Sequence, residues 1–196
     1  MTDTQWRRYQ VFVQEKSGEP HQDVGSVHAP DPELALFNAR DVFARRPECV
    51  SMWVVPAEAI FSKTAQELAQ WDPVKEPQSF GEAHPETYVV TCKQKQGGTQ
   101  LQAGMVEAAN PVEAMRSGIE KFGGKNPGLA WWVFPARLVI QSEPGDVESM
   151  FNPALDKPFR LSADFHTVSA MRKIKSGEQK PAQADELSRS DDSCAI

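Results

Sequence analysis

The stretch from Tyr9 to Ile60, YQVFVQEKSGEPHQDVGSVHAPDPELALFNARDVFARRPECVSMWVVPAEAI, returns 79 residues later from Tyr88 to Val139 as YVVTCKQKQGGTQLQAGMVEAANPVEAMRSGIEKFGGKNPGLAWWVFPARLV, without a gap. Fourteen of the 52 aligned pairs are identical, among them Tyr9/Tyr88, Val11/Val90, Gly18/Gly97, Gly25/Gly104, Pro32/Pro111, Phe43/Phe122, Trp53/Trp132 and Pro56/Pro135. They fall on turn residues and on positions spaced like a core, where chance would scatter them. Self-similarity at a fixed period is the mark of a repeated structural unit. Further along, Trp71-Asp72-Pro73 lies over Phe151-Asn152-Pro153 with a shift of one more residue.

Each copy reads the same way. Tyr9, Val11 and Val13 alternate with other residues as in a half-buried strand, and Gly18 marks a turn. A second strand follows, with Gly25, Val27 and Ala29 on one face, and copy two keeps that phase in Gly104, Val106 and Ala108. Asp31-Pro32 and Asn110-Pro111 each place a side-chain acceptor at a helix N-cap and proline at the first helical position, which needs no backbone donor. Ala35, Ala39, Val42 and Phe43 form the expected apolar stripe of the first helix; Met115, Ile119 and Phe122 form that of the second. Pro47 is expected to stop the first helix and Gly123-Gly124 the second. The third strands, Met52–Val55 and Trp131–Phe134, are apolar on both faces and should be interior.

The fold class expected is therefore α+β, with two tandem ββαβ units whose antiparallel sheets pack as a pseudo-two-fold pair. A unit of roughly 50 residues seldom buries enough apolar surface alone, so the two should share a core. The expected domains are 1–85, a first unit with its connector, and 86–171, a second and divergent unit. Residues 57–85 read as an irregular connector with a short helical stretch around Thr64 to Gln70. Residues 172–196 are nearly devoid of apolar side chains and are expected to be a disordered tail that carries Cys194.

Of 196 residues, 40% are apolar and 24% charged, ordinary for a globular protein. A net charge of −6 works against attraction to a polyanion, so nucleic acid is not an expected partner. No apolar run approaches a membrane span, and the start MTDTQWRRYQ has no secretory leader. Three cysteines without a paired motif (Cys49, Cys92, Cys194) suit a reducing compartment. Cytoplasmic localisation is the expectation.

Motifs that carry chemistry are missing. The residues three before His21, His28, His84 and His166 are Gly18, Gly25, Gly81 and Ala163, so no Glu-x-x-His di-iron pair exists. Zinc spacing, a phosphate-binding glycine loop and a nucleophile elbow are also absent from the sequence. We expect no catalytic residue, no metal ligand and no cofactor. His28 on the second strand reads as a surface or interface residue. Arg40, Arg45 and Arg46 near the end of the first helix could meet coenzyme A phosphates, but a solvated face or a partner contact is the plainer reading. These four residues are the candidate partner contacts.

Trp6-x-x-Tyr9-x-Val11-Phe12-Val13, Val24-Gly25-Ser26-Val27-His28-Ala29, Ala35-Leu36-x-Asn38-Ala39-Arg40-Asp41-Val42-Phe43-x-Arg45-Arg46 and Ser51-Met52-Trp53-Val54-Val55 resemble the B-subunit (PaaB) family of bacterial 1,2-phenylacetyl-CoA epoxidase. Looser echoes follow in Trp71-Asp72-Pro73 and in Phe151-Asn152-Pro153 with Lys157-x-Phe159-Arg160. Typical members have one unit that pairs as a homodimer; this chain carries two, and the second has Lys121 and Gly124-Lys125 where the first is rich in arginine. The resemblance implies a subunit without an active site. It would bridge the di-iron catalytic oxygenase subunit and its structural companion and bear on electron delivery from the reductase. The complex would epoxidise the ring of phenylacetyl-CoA in aerobic phenylacetate breakdown, and the isolated chain would be a pseudo-dimeric monomer.

Two other readings remain open at this point. Small α+β barrels built from two such units can be cofactor-independent monooxygenases, which would require a pocket with convergent polar groups. A coenzyme A-thioester-binding regulator would use Arg40, Arg45 and Arg46.

Overall fold

The structure, a computed structural model, describes residues 6–44, 49–73, 85–124, 128–154, 171–173 and 175–176. Met1–Lys157 form one compact unit; of the second, Pro158–Ile196, only residues 171–173 and 175–176 are described, in helical and turn conformation.

The first repeat runs β1 (Arg8–Gln14), β2 (Gln22–His28), α1 (Pro32–Phe43) and β3 (Ser51–Pro56). After a 3-10 turn, β4 (Phe61–Thr64) and the short helix α2 (Ala65–Ala69) follow. The second repeat gives β5 (Glu86–Lys93), β6 (Leu101–Ala108), α3 (Pro111–Phe122), β7 (Ala130–Pro135) and the two-residue β8 (Ile140–Gln141). A π-helical turn, Val147–Phe151, comes next. The expected ββαβ order thus appears twice.

The helix starts are built as the sequence suggests. Asp31 Oδ1 accepts from the Leu34 amide at 2.8 Å and Asn110 Oδ1 from the Glu113 amide at 2.8 Å, each just before a proline. Two orphan amide donors are satisfied in this way, each cap contributing about 1 kcal/mol. α1 ends at Phe43, and Pro47 lies outside the described residues; α3 ends at Phe122 with Gly123 as its cap. The β1–β2 register slips between Val11 and Phe12, and the β5–β6 register slips between Val90 and Thr91. Gly25 and Gly104 sit at these two bulges. A Cβ on Gly25 would come within 3.0 Å of the Phe43 ring, and one on Gly104 would run into the Phe122 ring. The bare backbone lets the last aromatic of each helix close down on the sheet.

Strand order is β4-β7-β5-β6-β2-β1-β3-β8, antiparallel at every neighbouring pair. The two half-sheets are continuous through β2 and β6, where Asp23 N donates to Gln100 O and Gln102 N donates to His21 O, both at 2.8 Å. A shift of 79 converts one of these bonds into the other, so the pseudo-two-fold relates them.

Each half-sheet has two different faces. Tyr9, Val11, Val13, Met52 and Val54 pack against Ala35, Leu36 and Ala39 of α1. Tyr88, Val90, Trp131 and Val133 pack with Ala114 and Met115 of α3. The opposite faces meet in a third cluster of Phe12, Trp53 and Val55 with Val89 and Phe134. Phe12 lies 5.4 Å from Phe134 and edge-on to Trp132 at 6.4 Å. This seam is the shared core, each buried large side chain contributing roughly 2–3 kcal/mol. Val42 is the exception to the expected α1 stripe: it is 53% exposed, because it falls just past the edge of the row made by Ala35, Ala39 and Phe43.

The described part of the connector, residues 57–73, is more regular than its composition suggests. Thr64 and Glu67 form a capping box at α2, which covers much of the helical stretch expected there. The four residues before it are a strand, and that strand pairs with the other repeat: Phe61 stands opposite Val133 and Thr64 opposite Ala130. Reciprocally, Ile140 and Gln141 pair with Val54 and Trp53 of repeat one. Beyond them, Phe61, Leu68 and Trp71 pack on the core of repeat two, while Met150 and Phe151 are buried in that of repeat one. The arms following the third strands are exchanged.

Candidate interaction surface

Of the four candidate contact residues, two are described. His28 ends β2 with its side chain exposed, and its carbonyl accepts from Asn38 Nδ2 at 3.3 Å. Arg40 lies in the last turn of α1, where Nη2 and Nε reach Asp41 Oδ1 at 2.7 and 3.1 Å. Its charge is therefore balanced by its sequence neighbour. Arg45 and Arg46 lie outside the described residues, as do Cys194 and Lys157-x-Phe159-Arg160.

The feature missed by reading one copy at a time is the outer face of α1. Leu34, Phe37 and Val42 are 39%, 45% and 53% exposed. The same places on α3, 79 residues on, carry Glu113, Arg116 and Lys121. The two helices share a scaffold and a capping scheme, so α3 is an internal control for what this fold places in water at these positions. Single exposed apolar residues are normal, but here three lie on one short helix whose counterpart is charged at the same positions. The signal lay in the pairwise comparison of the repeats, at the positions that differ.

A polar site lies at the junction of β2 and β6. His21, 5% exposed, stacks on Trp53 with ring centroids 3.5 Å apart. Its Nδ1 lies 3.2 Å from Gln102 Oε1, which can only accept, so Nδ1 carries the proton and Nε2 accepts from the Ser51 hydroxyl at 3.1 Å. Gln141, from the arm of repeat two, donates to the same hydroxyl oxygen at 3.3 Å. Burial lowers the His21 pKa to about 4 against the smaller opposing effect of Gln102, so the ring is neutral at pH 7. Beside it, burial raises the Asp23 carboxyl, with Gln10, Gly25 and Lys93 opposing.

A cleft of about 280 Å³ opens beside the 3-10 turns Ala57–Ala59 and Ala136–Leu138, lined by Glu58, Phe61, Glu86, Tyr88 and Arg137 among others. Tyr88 donates its hydroxyl hydrogen to Glu86 Oε1 at 2.9 Å, and Arg137 Nε donates to Oε2 at 2.7 Å. Burial, and the hydrogen bond to Glu86 after it, raise the Tyr88 pKa, which keeps the phenol protonated. Cys49 is buried, its thiol pushed up to about 12 mainly by burial, and so is a poor nucleophile. Among the described residues no group of three or more His, Cys, Asp or Glu is placed to hold a metal ion. No described helix is long and apolar enough to cross a membrane.

The family described as phenylacetic acid degradation B (PaaB) matches over residues 5–80 and again over 84–172. The chain belongs to the PaaB family. The B-subunit of 1,2-phenylacetyl-CoA epoxidase from Escherichia coli (strain K12) is 39% identical over 90 residues, which are 46% of this chain and 93% of that relative. Less than half of this PaaB chain therefore spans nearly all of a relative, as a tandem duplication requires. No solved structure matches the chain.

Proposed function

We propose that this PaaB-family chain is a non-catalytic, cytoplasmic accessory subunit of a phenylacetyl-CoA epoxidase-type oxygenase. In this reading it bridges a di-iron catalytic subunit and its structural companion in phenylacetate breakdown. Contact is made through the outer face of α1, by Leu34, Phe37 and Val42 with His28 and the Arg40 region near it.

The observation that carries the reading is the contrast between α1 and α3 at equivalent positions: Leu34 against Glu113, Phe37 against Arg116, Val42 against Lys121. An apolar face that the fold does not need for its own core is a face kept for a partner. Family membership supports an assembly of this kind. The balanced charge of Arg40 favours a protein contact over a phosphate site.

The test exchanges repeat one's face for that of repeat two. The full chain and a Leu34→Glu/Phe37→Arg variant are each co-expressed with the catalytic and structural subunits and run by size exclusion. The wild type should co-elute with them; the variant should elute alone with an unchanged circular dichroism spectrum. Undiminished co-elution of the variant overturns the assigned face, and failure of the wild type to co-elute overturns the function.

A further inference from the structure

Three buried side-chain atoms meet no hydrogen-bonding partner among the described residues: Trp53 Nε1, Thr91 Oγ1 and Gln100 Oε1. Their residues are 6%, 0% and 3% exposed. Buried polar atoms left bare are costly, and native proteins seldom keep three in one region.

All three belong to the seam between the repeats. The Trp53 ring stacks on His21, and His21 bonds Gln102. Gln102 stands directly opposite Thr91 in the β5–β6 ladder, so their side chains share a face. Gln100 Nε2 donates to the carbonyl of that same Thr91 at 3.1 Å and to that of Ala130 at 3.3 Å, which leaves Oε1 over. The seam side chains also differ in size between the repeats, Phe134 standing where repeat one has Val55. Where repeat one has Phe12 and Ser51, repeat two has the smaller Thr91 and Ala130.

We propose that the seam is an internal hydration site, with water accepting from Trp53 Nε1 and donating to Gln100 Oε1, and the Thr91 hydroxyl completing its coordination. The chemistry selects water over other occupants. The three atoms comprise one donor, one acceptor and one hydroxyl able to do either, which is the complement of a molecule with two hydrogens and two lone pairs. None of the three groups is charged, so an ion would lie there without a counter-charge. A buried water needs a polar site with room and two to four partners. Because Trp53 belongs to repeat one and Thr91 and Gln100 to repeat two, this water joins the repeats alongside the His21–Gln102 and Gln141–Ser51 hydrogen bonds.

The test uses the full chain labelled with nitrogen-15, with Trp53→Phe assigning the indole signal. The expected result is a cross-peak between the Trp53 indole hydrogen and water with the sign of a long-lived complex in the rotating frame, distinct from proton exchange. Thr91→Val, which keeps the shape and removes the hydroxyl, should weaken that cross-peak and lower the melting temperature by about 2–4 °C. A wild type without the cross-peak overturns the site. So does a Thr91→Val variant that melts at the same or a higher temperature, as removal of a bare hydroxyl would give.

Discussion

Arg137 Nε holds Glu86 Oε2 at 2.7 Å, and 79 residues upstream the same two places carry Glu58 and Arg7, 3.2 Å apart with the charges exchanged. Both members changed sign and the pairing survived, so the attraction matters more than which end bears which charge. The Arg7–Glu58 pair is well exposed, at 56% and 64%, and such pairs are worth about 0.2–1 kcal/mol. Arg7→Glu alone sets two carboxylates against each other and should lower stability by roughly 0.5 kcal/mol at low salt. Arg7→Glu with Glu58→Arg reproduces repeat two's arrangement and should recover wild-type stability. A double variant no better than the single one in urea melts would show that the two pairs are unrelated surface contacts.

Stability should respond to pH through His21. Its folded value of about 4 lies below the ordinary 6.5, so the unfolded chain takes up that proton first. The contribution of the neutral ring is present above pH 6.5 and is lost as pH falls towards 4. Asp23 has the opposite sign: its carboxyl is raised by burial, so the folded chain protonates first and acid favours folding at that site. His21→Gln, the residue repeat two carries as Gln100, removes the first effect and leaves the second. The stability of wild type minus that of the variant should decline by on the order of 1–2 kcal/mol between about pH 7 and pH 4, the polar surroundings tempering the full linkage. Parallel pH curves for the two proteins would rule this out.

The repeat, the helix caps and the paired first strands were legible because they depend on local rules: Asp31-Pro32 and Asn110-Pro111 announce helix starts whatever surrounds them. Arm exchange was not legible. Phe61–Thr64 is only four residues long with a single apolar side chain, and its partner β7 lies in the other repeat. Nor was the polar seam, since His21 reads as a lone histidine in a turn until the fold brings Gln102 to it across 81 residues. The α1 face was present in the sequence but hidden by attention to identities, when the informative positions were those where the copies differ.

The arms occupy equivalent places but bury unequally. Phe151 is 4% exposed within repeat one's core, whereas its counterpart Trp71 is only partly buried on repeat two, beside Phe61 at 6.3 Å. Phe151→Ala leaves a cavity in a closed site and should cost about 3–4 kcal/mol. Trp71→Ala opens a site that water can fill and should cost roughly half as much. Equal losses in denaturant titrations would mean that the two arms are anchored alike.

Arm exchange also bears on the oligomeric state. In the full chain β8 from repeat two covers the outer edge of β3, β4 from repeat one covers that of β7, and the seam residues of each repeat are matched internally. Among the described residues the surfaces that would pair two copies are thus already used within one chain, which should sediment as a monomer. Residues 1–85 expressed alone would hold a β4 arm whose docking site lies on another repeat, together with an uncovered β3 edge and the exposed seam face of Phe12, Trp53 and Val55. An open strand edge and a bare apolar sheet face both drive association. Two copies exchanging arms would satisfy both, so this fragment should sediment as a dimer at micromolar concentration, and Phe61→Ala should weaken it. A folded monomeric fragment would show that a single repeat can close on its own arm. A tight dimer of full chains would show that the internal pairing leaves a surface unsatisfied.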